Sequence, residues 1–459
     1  MIVLLVLTGC QTQLAMLKPV LNEESELVLY LQPFPRESDR LSFTLDSVAA
    51  VREDGAEFPL DLSLHDLAGP ELRRQRFLAS GRIPPGTYRG LALRASKPRL
   101  KTDEADASLL AGTEATLLDF PFTVRRQQAQ LLTLTFDYPT SVRQRFSFAP
   151  MFTIRMPGRP VAGLTGYATT PAANSITVFD KQNRQVVGVI ATGKEPRGLV
   201  FDQQRKRAYV ALSGEDAIAV IDIVTGEEVR RIRLLAGDGP TELALTPDGR
   251  TLLSVNPGSN TVSFIDPLSY FENTRVPVGD GPSSILIDPA GQRAYVFNGF
   301  ASTISVLDVG RRSVVITVPS EPGASRGSFS RAGDKLYVIH DLGSYLTVYN
   351  PVTMAQQQRQ YVGMGMTSLK VDPLTDLVYA GKRHDAQAEV YEPFSFTRLA
   401  TISIGGSAGY LTIDGEENRL YVGNARRHSL QVVNLADYRV EDELDLGGEP
   451  GRVALMGER

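Results

Sequence analysis

A strand that ends in an acidic residue or asparagine returns seven times after residue 160. The copies are Thr177-Val-Phe-Asp180, Ala219-Val-Ile-Asp222, Ser263-Phe-Ile-Asp266, Ser305-Val-Leu-Asp308, Thr347-Val-Tyr-Asn350, Glu389-Val-Tyr-Glu392 and Gln431-Val-Val-Asn434. They are spaced by 42, 44, 42, 42, 42 and 42 residues. Tyr167, Tyr209, Leu253, Tyr295, Tyr337, Tyr379 and Tyr421 keep the same register. So do the turns at Gly193, Gly237, Gly279, Gly363, Gly405 and Gly447, with Glu321 in the remaining place. A repeat of this period means that each unit buries its faces only against its neighbours. Within a unit, runs such as Arg293-Ala-Tyr-Val-Phe alternate with period two, and Gly, Pro, Asn and Asp clusters separate them. That pattern reads as four short strands joined by turns, which is one propeller blade.

The copies containing Tyr295-Val-Phe-Asn298, Tyr421-Val-Gly-Asn424 and Gly279-Asp-Gly-Pro282 resemble the YVTN-type β-propeller repeat of prokaryotic surface and envelope proteins. A WD repeat is excluded, because the chain has no Trp. Later blades open with a strand such as Arg197-Gly-Leu-Val-Phe-Asp202, but one repeat earlier stands Met156-Pro-Gly-Arg-Pro160, which cannot be a central strand. The missing strand returns at the other end as Arg452-Val-Ala-Leu-Met456. The expectation is an all-β chain with a seven-bladed β-propeller over 158–459, closed by its C-terminal strand.

Residues 23–157 carry no copy of the repeat, yet runs such as Glu26-Leu-Val-Leu-Tyr-Leu31 and Gln130-Leu-Leu-Thr-Leu-Thr-Phe136 alternate as half-buried strands. Ile83-Pro-Pro-Gly-Thr-Tyr88 resembles a turn of prealbumin-like bacterial lipoprotein domains. A prealbumin-like or immunoglobulin-like β-sandwich domain is expected here, held close to the propeller by a short linker.

The first ten residues end in Leu7-Thr8-Gly9-Cys10, which resembles the lipobox of bacterial lipoproteins, although no Lys or Arg precedes the apolar run. The resemblance implies a signal over 1–10, acylation of Cys10 and a tether over 11–22. It places the protein in the cell envelope, with Gln11 matching outer-membrane sorting. Cys10 is the sole cysteine, so neither an internal disulfide nor a Cys-x-x-Cys-His haem attachment can form. A net charge of −4 argues against nucleic acid as a partner.

Candidate chemistry lies on one rim. His340, His384 and His428 fall in the loops after the second strand of blades five, six and seven, among Asp341, Arg383 and Arg427. Asp238, Glu242 and Asp280 place acid in the turns near blades two and three. Such a rim could orient an anion or a charged partner. The three histidines are not equivalent positions, so no metal is expected, and no cofactor. Gly405-Gly-Ser407-Ala-Gly409 fits G-x-S-x-G, but it stands between strands, where that motif has no catalytic meaning. No catalytic residue is assigned. The leading expectation is therefore a lipid-anchored scaffold, not an enzyme, that binds an envelope protein or an extracytoplasmic ligand. The alternatives are a propeller enzyme of lactonase or dehydrogenase-subunit type, with His340, His384, Arg383 and Arg427 as candidates, and a passive spacer.

Overall fold

The alternating runs are strands, and after residue 164 they pair in fours. The computed structural model describes residues 18, 20–102, 106–144 and 146–458, so Cys10 and the motif around it lie outside the described residues. Seven four-stranded antiparallel sheets follow one another along the chain. Sheets two to seven span 196–233, 242–277, 282–319, 324–361, 366–403 and 408–445, each running in sequence order from its innermost strand outward. Sheet one differs. Its strands Thr165–Thr170, Ser175–Asp180 and Gln185–Ala191 are completed on the inner side by Val453–Leu455, antiparallel to Thr165–Thr170. The innermost strands of successive sheets pack side by side, and Val453–Leu455 touches both Ala408–Asp414 and Pro196–Asp202. The ring is thereby closed.

The repeating residues have identifiable structural roles. The acid or Asn that ends the third strand accepts amide hydrogens from the turn that follows. Asp180 takes those of Gln182 and Asn183 at 2.8 and 3.0 Å, and Asn350 those of Val352 and Thr353 at 2.9 and 3.0 Å. Asp222, Asp266, Asp308, Glu392 and Asn434 do the same. Four residues after each, the backbone turns left-handed: Arg184, Gly226, Tyr270, Arg312, Met354, Phe396 and Tyr438 all have φ between 54° and 64°. The marker tyrosines are buried between sheets, as where Tyr337 packs with Leu369, Val371 and Phe396.

Before the ring, Ser25–Leu31 lies parallel to Ala129–Phe136 and antiparallel to Arg76–Ile83. Glu57–Leu62 connects these strands to Leu41–Arg52, which pairs with Gly86–Lys101. Side chains from both halves, among them Leu29, Leu45, Leu93 and Leu132, form one core. The turn before Gly86–Lys101 is fastened by its own tyrosine. Tyr88 is fully buried, stacks on Phe122 at 5.3 Å, and donates its hydroxyl to the Pro84 carbonyl at 2.7 Å. Tyr88→Phe keeps the packing and loses that bond, so it is expected to lower unfolding free energy by about 1 kcal/mol in urea titration. An unchanged midpoint would show that the turn holds without it.

This part docks on sheets one and seven. Gln75 pairs both ways with the Val186 backbone, at 3.1 and 2.7 Å, and Arg76 meets Asp445 at 3.0 Å. Phe77 lies over Gly447, whose φ of +68° and lack of Cβ let the ring approach. Val28, Tyr30 and Leu131 complete an apolar cluster with Phe179, Val186, Leu444 and Leu446.

Candidate binding site in the central channel

Seven innermost strands surround a channel, and two register positions, two residues apart, form tiers on them. The first tier reads Gly198, Glu242, Ser284, Arg326, Ser368, Tyr410 and Arg452; the second carries Val200, Ala244, Leu286 and Lys370 among others. Four long side chains of the first tier, from sheets three, five, seven and one, meet across the ring. Arg452 reaches Glu242 at 3.0 Å and Arg326 reaches the same carboxylate at 3.7 Å. Both guanidiniums stand over the Tyr410 ring, at 4.6 and 5.4 Å from its centroid. Below them Lys370 pairs with Glu458 at 3.0 Å. Burial and the neighbouring Arg452 push the Arg326 guanidinium below its ordinary value. Burial is the largest influence and acts against charged Arg452, but Glu242, Tyr410 and Glu458 together outweigh it and hold Arg452 above the usual range. Burial disfavours the Glu458 carboxylate as well, and Lys370, Thr412 and Arg452 together outweigh it to hold the carboxyl low. A cavity of about 320 Å³ opens beside Arg452, Tyr410 and Glu458, and its remaining wall is largely aliphatic but includes the carboxylate of Asp288.

Sequence reasoning placed Glu242 on an acidic rim; it stands instead inside the channel. His340 also departs from expectation. It ends the strand Leu336–His340, is fully buried, and occupies the column held by Asn256 and Asn298 in other sheets. Those asparagines donate to Ser263 and Ser305 at 2.8 and 2.9 Å. His340 Nδ1–H donates to the Tyr345 carbonyl at 3.1 Å, leaving Nε2 buried without a partner. A solvated loop role is thus excluded for it. The same column holds Lys382 in sheet six, paired with Glu389 at 3.2 Å where sheets three and four have Ser263 and Ser305.

Of the other rim residues, Arg383, His384 and His428 are exposed and Asp341 is half-buried. Arg427 is exposed but spoken for, bound to Glu443 at 2.6 Å, a carboxylate that Arg74 also approaches at 3.4 Å. His428 has φ of 52°, the left-handed turn position filled by Asn174, Asp216, Asn260 and Ser302 in other sheets. None of the six belongs to the channel cluster. Ser407 sits between the strands Arg398–Ser403 and Ala408–Asp414, with no helix after it.

Burial pushes the His340 imidazole below its ordinary 6.5, outweighing Tyr345, Glu321 and Asp341. The unfolded chain then takes up a proton more readily than the native one. Stability supplied by neutral His340 is full above about pH 6.5 and is lost as pH falls through the lower native value. His340→Asn restores the column's usual residue, so its urea midpoint should gain on the parent's between pH 7.5 and pH 5. A constant difference would contradict this.

No protein-family model and no curated protein matches the chain. Among solved structures it is similar to hydrazine synthase of Kuenenia stuttgartiensis, with a TM-score of 0.52 and 17% identity over 60% of this chain and 93% of that one. It is also similar to a functionally unknown protein from Desulfotomaculum acetoxidans, with a TM-score of 0.56 and 14% identity over 63% and 98%. The fold is propeller-like. At these identities the likeness concerns the propeller architecture alone.

Proposed function

We propose that this chain is a lipid-anchored cell-envelope protein, favouring the outer membrane, whose seven-bladed β-propeller of YVTN type is a binding scaffold. A β-sandwich domain of prealbumin-like or immunoglobulin-like kind precedes it, and the C-terminal strand closes the ring. The reading is carried by one observation: Glu242, Arg326, Tyr410 and Arg452 come from four different repeats and meet in the channel. The core alone does not require them there, since the small residues Gly198, Ser284 and Ser368 serve at the same position elsewhere. The anchor rests on Leu7-Thr8-Gly9-Cys10, and the binding surface moves from the histidine rim to the channel.

Two experiments test this. Radiolabelled palmitate fed to cells is expected to label the parent and not Cys10→Ser; label on both would remove the anchor. Incubation with a small-molecule extract, followed by native mass spectrometry, is expected to show a retained ligand. An Arg326→Met/Arg452→Met variant should lose it. No retained mass, or equal retention by the variant, would overturn the channel as the binding site.

A further inference from the structure

Lys18 is seated on one face of the ring. It donates its amide to the Ala172 carbonyl at 2.9 Å, and the Asn174 side chain donates to the Lys18 carbonyl. Ala172 lies in the loop between Thr165–Thr170 and Ser175–Asp180, five residues after the register marker Tyr167. Counted from the other markers, its counterparts are Gly214, Gly258, Phe300, Leu342, His384 and Arg426. A register position keeps its place from blade to blade, so Lys18 sits on the face where Phe300 and Leu342 stand. Phe300 is 91% exposed and Leu342 66%, and Met364, in the turn between sheets five and six, is 67% exposed. Backbone bonds join their loops into one row. Ser320 donates to Ser302 at 2.9 Å, Asp341 to Gly323 at 2.9 Å and Gly363 to Ser344 at 3.1 Å. Adjoining apolar side chains left in water mark an interaction surface.

Exposure alone does not select this face. Val224, Leu268, Val352 and Phe394 are exposed at the other end of the blades, in the turns after the third strand. The two faces are a strand length apart, about 17 Å for Tyr345–Tyr349. The tether decides between them. Cys10 lies eight residues before Lys18, a stretch that spans about 26–29 Å at full extension. A bilayer that holds acylated Cys10 is therefore kept within that reach of the face carrying Ala172, Phe300 and Leu342. We propose that this face lies against the membrane carrying the anchor, with Phe300, Leu342 and Met364 in the interfacial layer of the bilayer. Charges along the row are mixed, Asp280, Asp341 and Asp385 against Lys382 and Arg383, so the contact is apolar and needs no anionic lipid. The inference rests on the lipid-anchor reading above and adds the orientation in which the anchor holds the ring; the channel reading does not enter it.

The chain has no Trp, so a single introduced one reports alone. Phe300→Trp and, on the opposite face, Phe394→Trp are made in the acylated full chain and reconstituted into phosphatidylcholine vesicles with and without brominated acyl chains. Phe300→Trp is expected to emit at shorter wavelength on reconstitution and to be quenched about twofold or more by the bromolipid, because an interfacial side chain lies about 5–10 Å into the headgroup and acyl boundary. High salt should leave that quenching unchanged. Phe394→Trp should show neither effect. Should Phe300→Trp fail to fold, Leu342→Trp carries the test. Equal quenching of the two, quenching of Phe394→Trp alone, or quenching of neither while the protein floats with the vesicles overturns the orientation and leaves the anchor standing. A shift of Phe300→Trp emission caused by envelope proteins and not by vesicles gives the face to a protein partner and overturns it too. A chain that takes no palmitate label and does not float overturns both readings.

Discussion

Deletion of residues 452–459 is expected to abolish cooperative folding, although it removes eight residues of 459. Val453, Ala454, Leu455 and Met456 are each at most 7% exposed. Burial of large apolar side chains contributes about 1.5–3 kcal/mol apiece, so this strand supplies about 5–8 kcal/mol. Total domain stability is itself only about 5–15 kcal/mol. The deletion also strips the inner edge of Thr165–Thr170, which loses the Thr169–Arg452 backbone bond at 2.9 Å and the Met456–Thr165 bond at 3.1 Å. A bare strand edge at the centre of the ring is a template for pairing with another chain. Gel filtration should therefore show aggregated or swapped species, and circular dichroism should show a broad urea transition. A monomer with the parent's sharp midpoint would contradict closure by this strand.

Lys181→Met is expected to cost about 3–5 kcal/mol, the range for breaking one side of a buried pair. Lys181 and Asp414 are both fully buried, 2.9 Å apart. Lys181 also donates to the Met456 carbonyl at 2.5 Å. One ammonium thus ties sheet one to sheet seven and to the closing strand. With Met in its place, Asp414 keeps a bond from the Glu416 amide at 3.0 Å but has no counter-charge. The loss comes mostly from that stranded carboxylate, not from the pair's own attraction. Lys181→Met/Asp414→Asn should accordingly recover most of it, since Asn is neutral and can still accept the Glu416 amide. Urea titration of the single and double variants decides the matter. A single variant within about 0.5 kcal/mol of the parent, the scatter usual for surface changes, would remove the latch.

The ring was legible because its repeating residues are needed at every copy. The turn after the third strand has amides that require an acceptor, so Asp, Asn or Glu recurs there from Asp180 to Asn434. The channel escaped the same reasoning for the opposite reason. Its position holds Gly198, Glu242, Ser284, Arg326, Ser368, Tyr410 and Arg452, seven places with little in common, and a search for recurrence passes over it. The signal was the variation itself: charge at a column where an inner strand needs none. His340 was misplaced because it was counted from the tyrosine as a loop residue, whereas alignment with Asn256, Asn298 and Asn424 puts it at the buried end of a strand. Before the ring, single strands were readable but their partners were not. Ser25–Leu31 pairs with Ala129–Phe136 about a hundred residues away, and nothing local encodes that choice.

The most direct measurement is a crystal structure of the full chain purified from its own cells in a buffer free of carboxylates and phosphate. The account predicts density in the channel for a bound molecule beside Arg326, Tyr410 and Arg452. A channel filled by ordered water alone, with a ligand or partner seated at Arg383, His384 and His428, would contradict it.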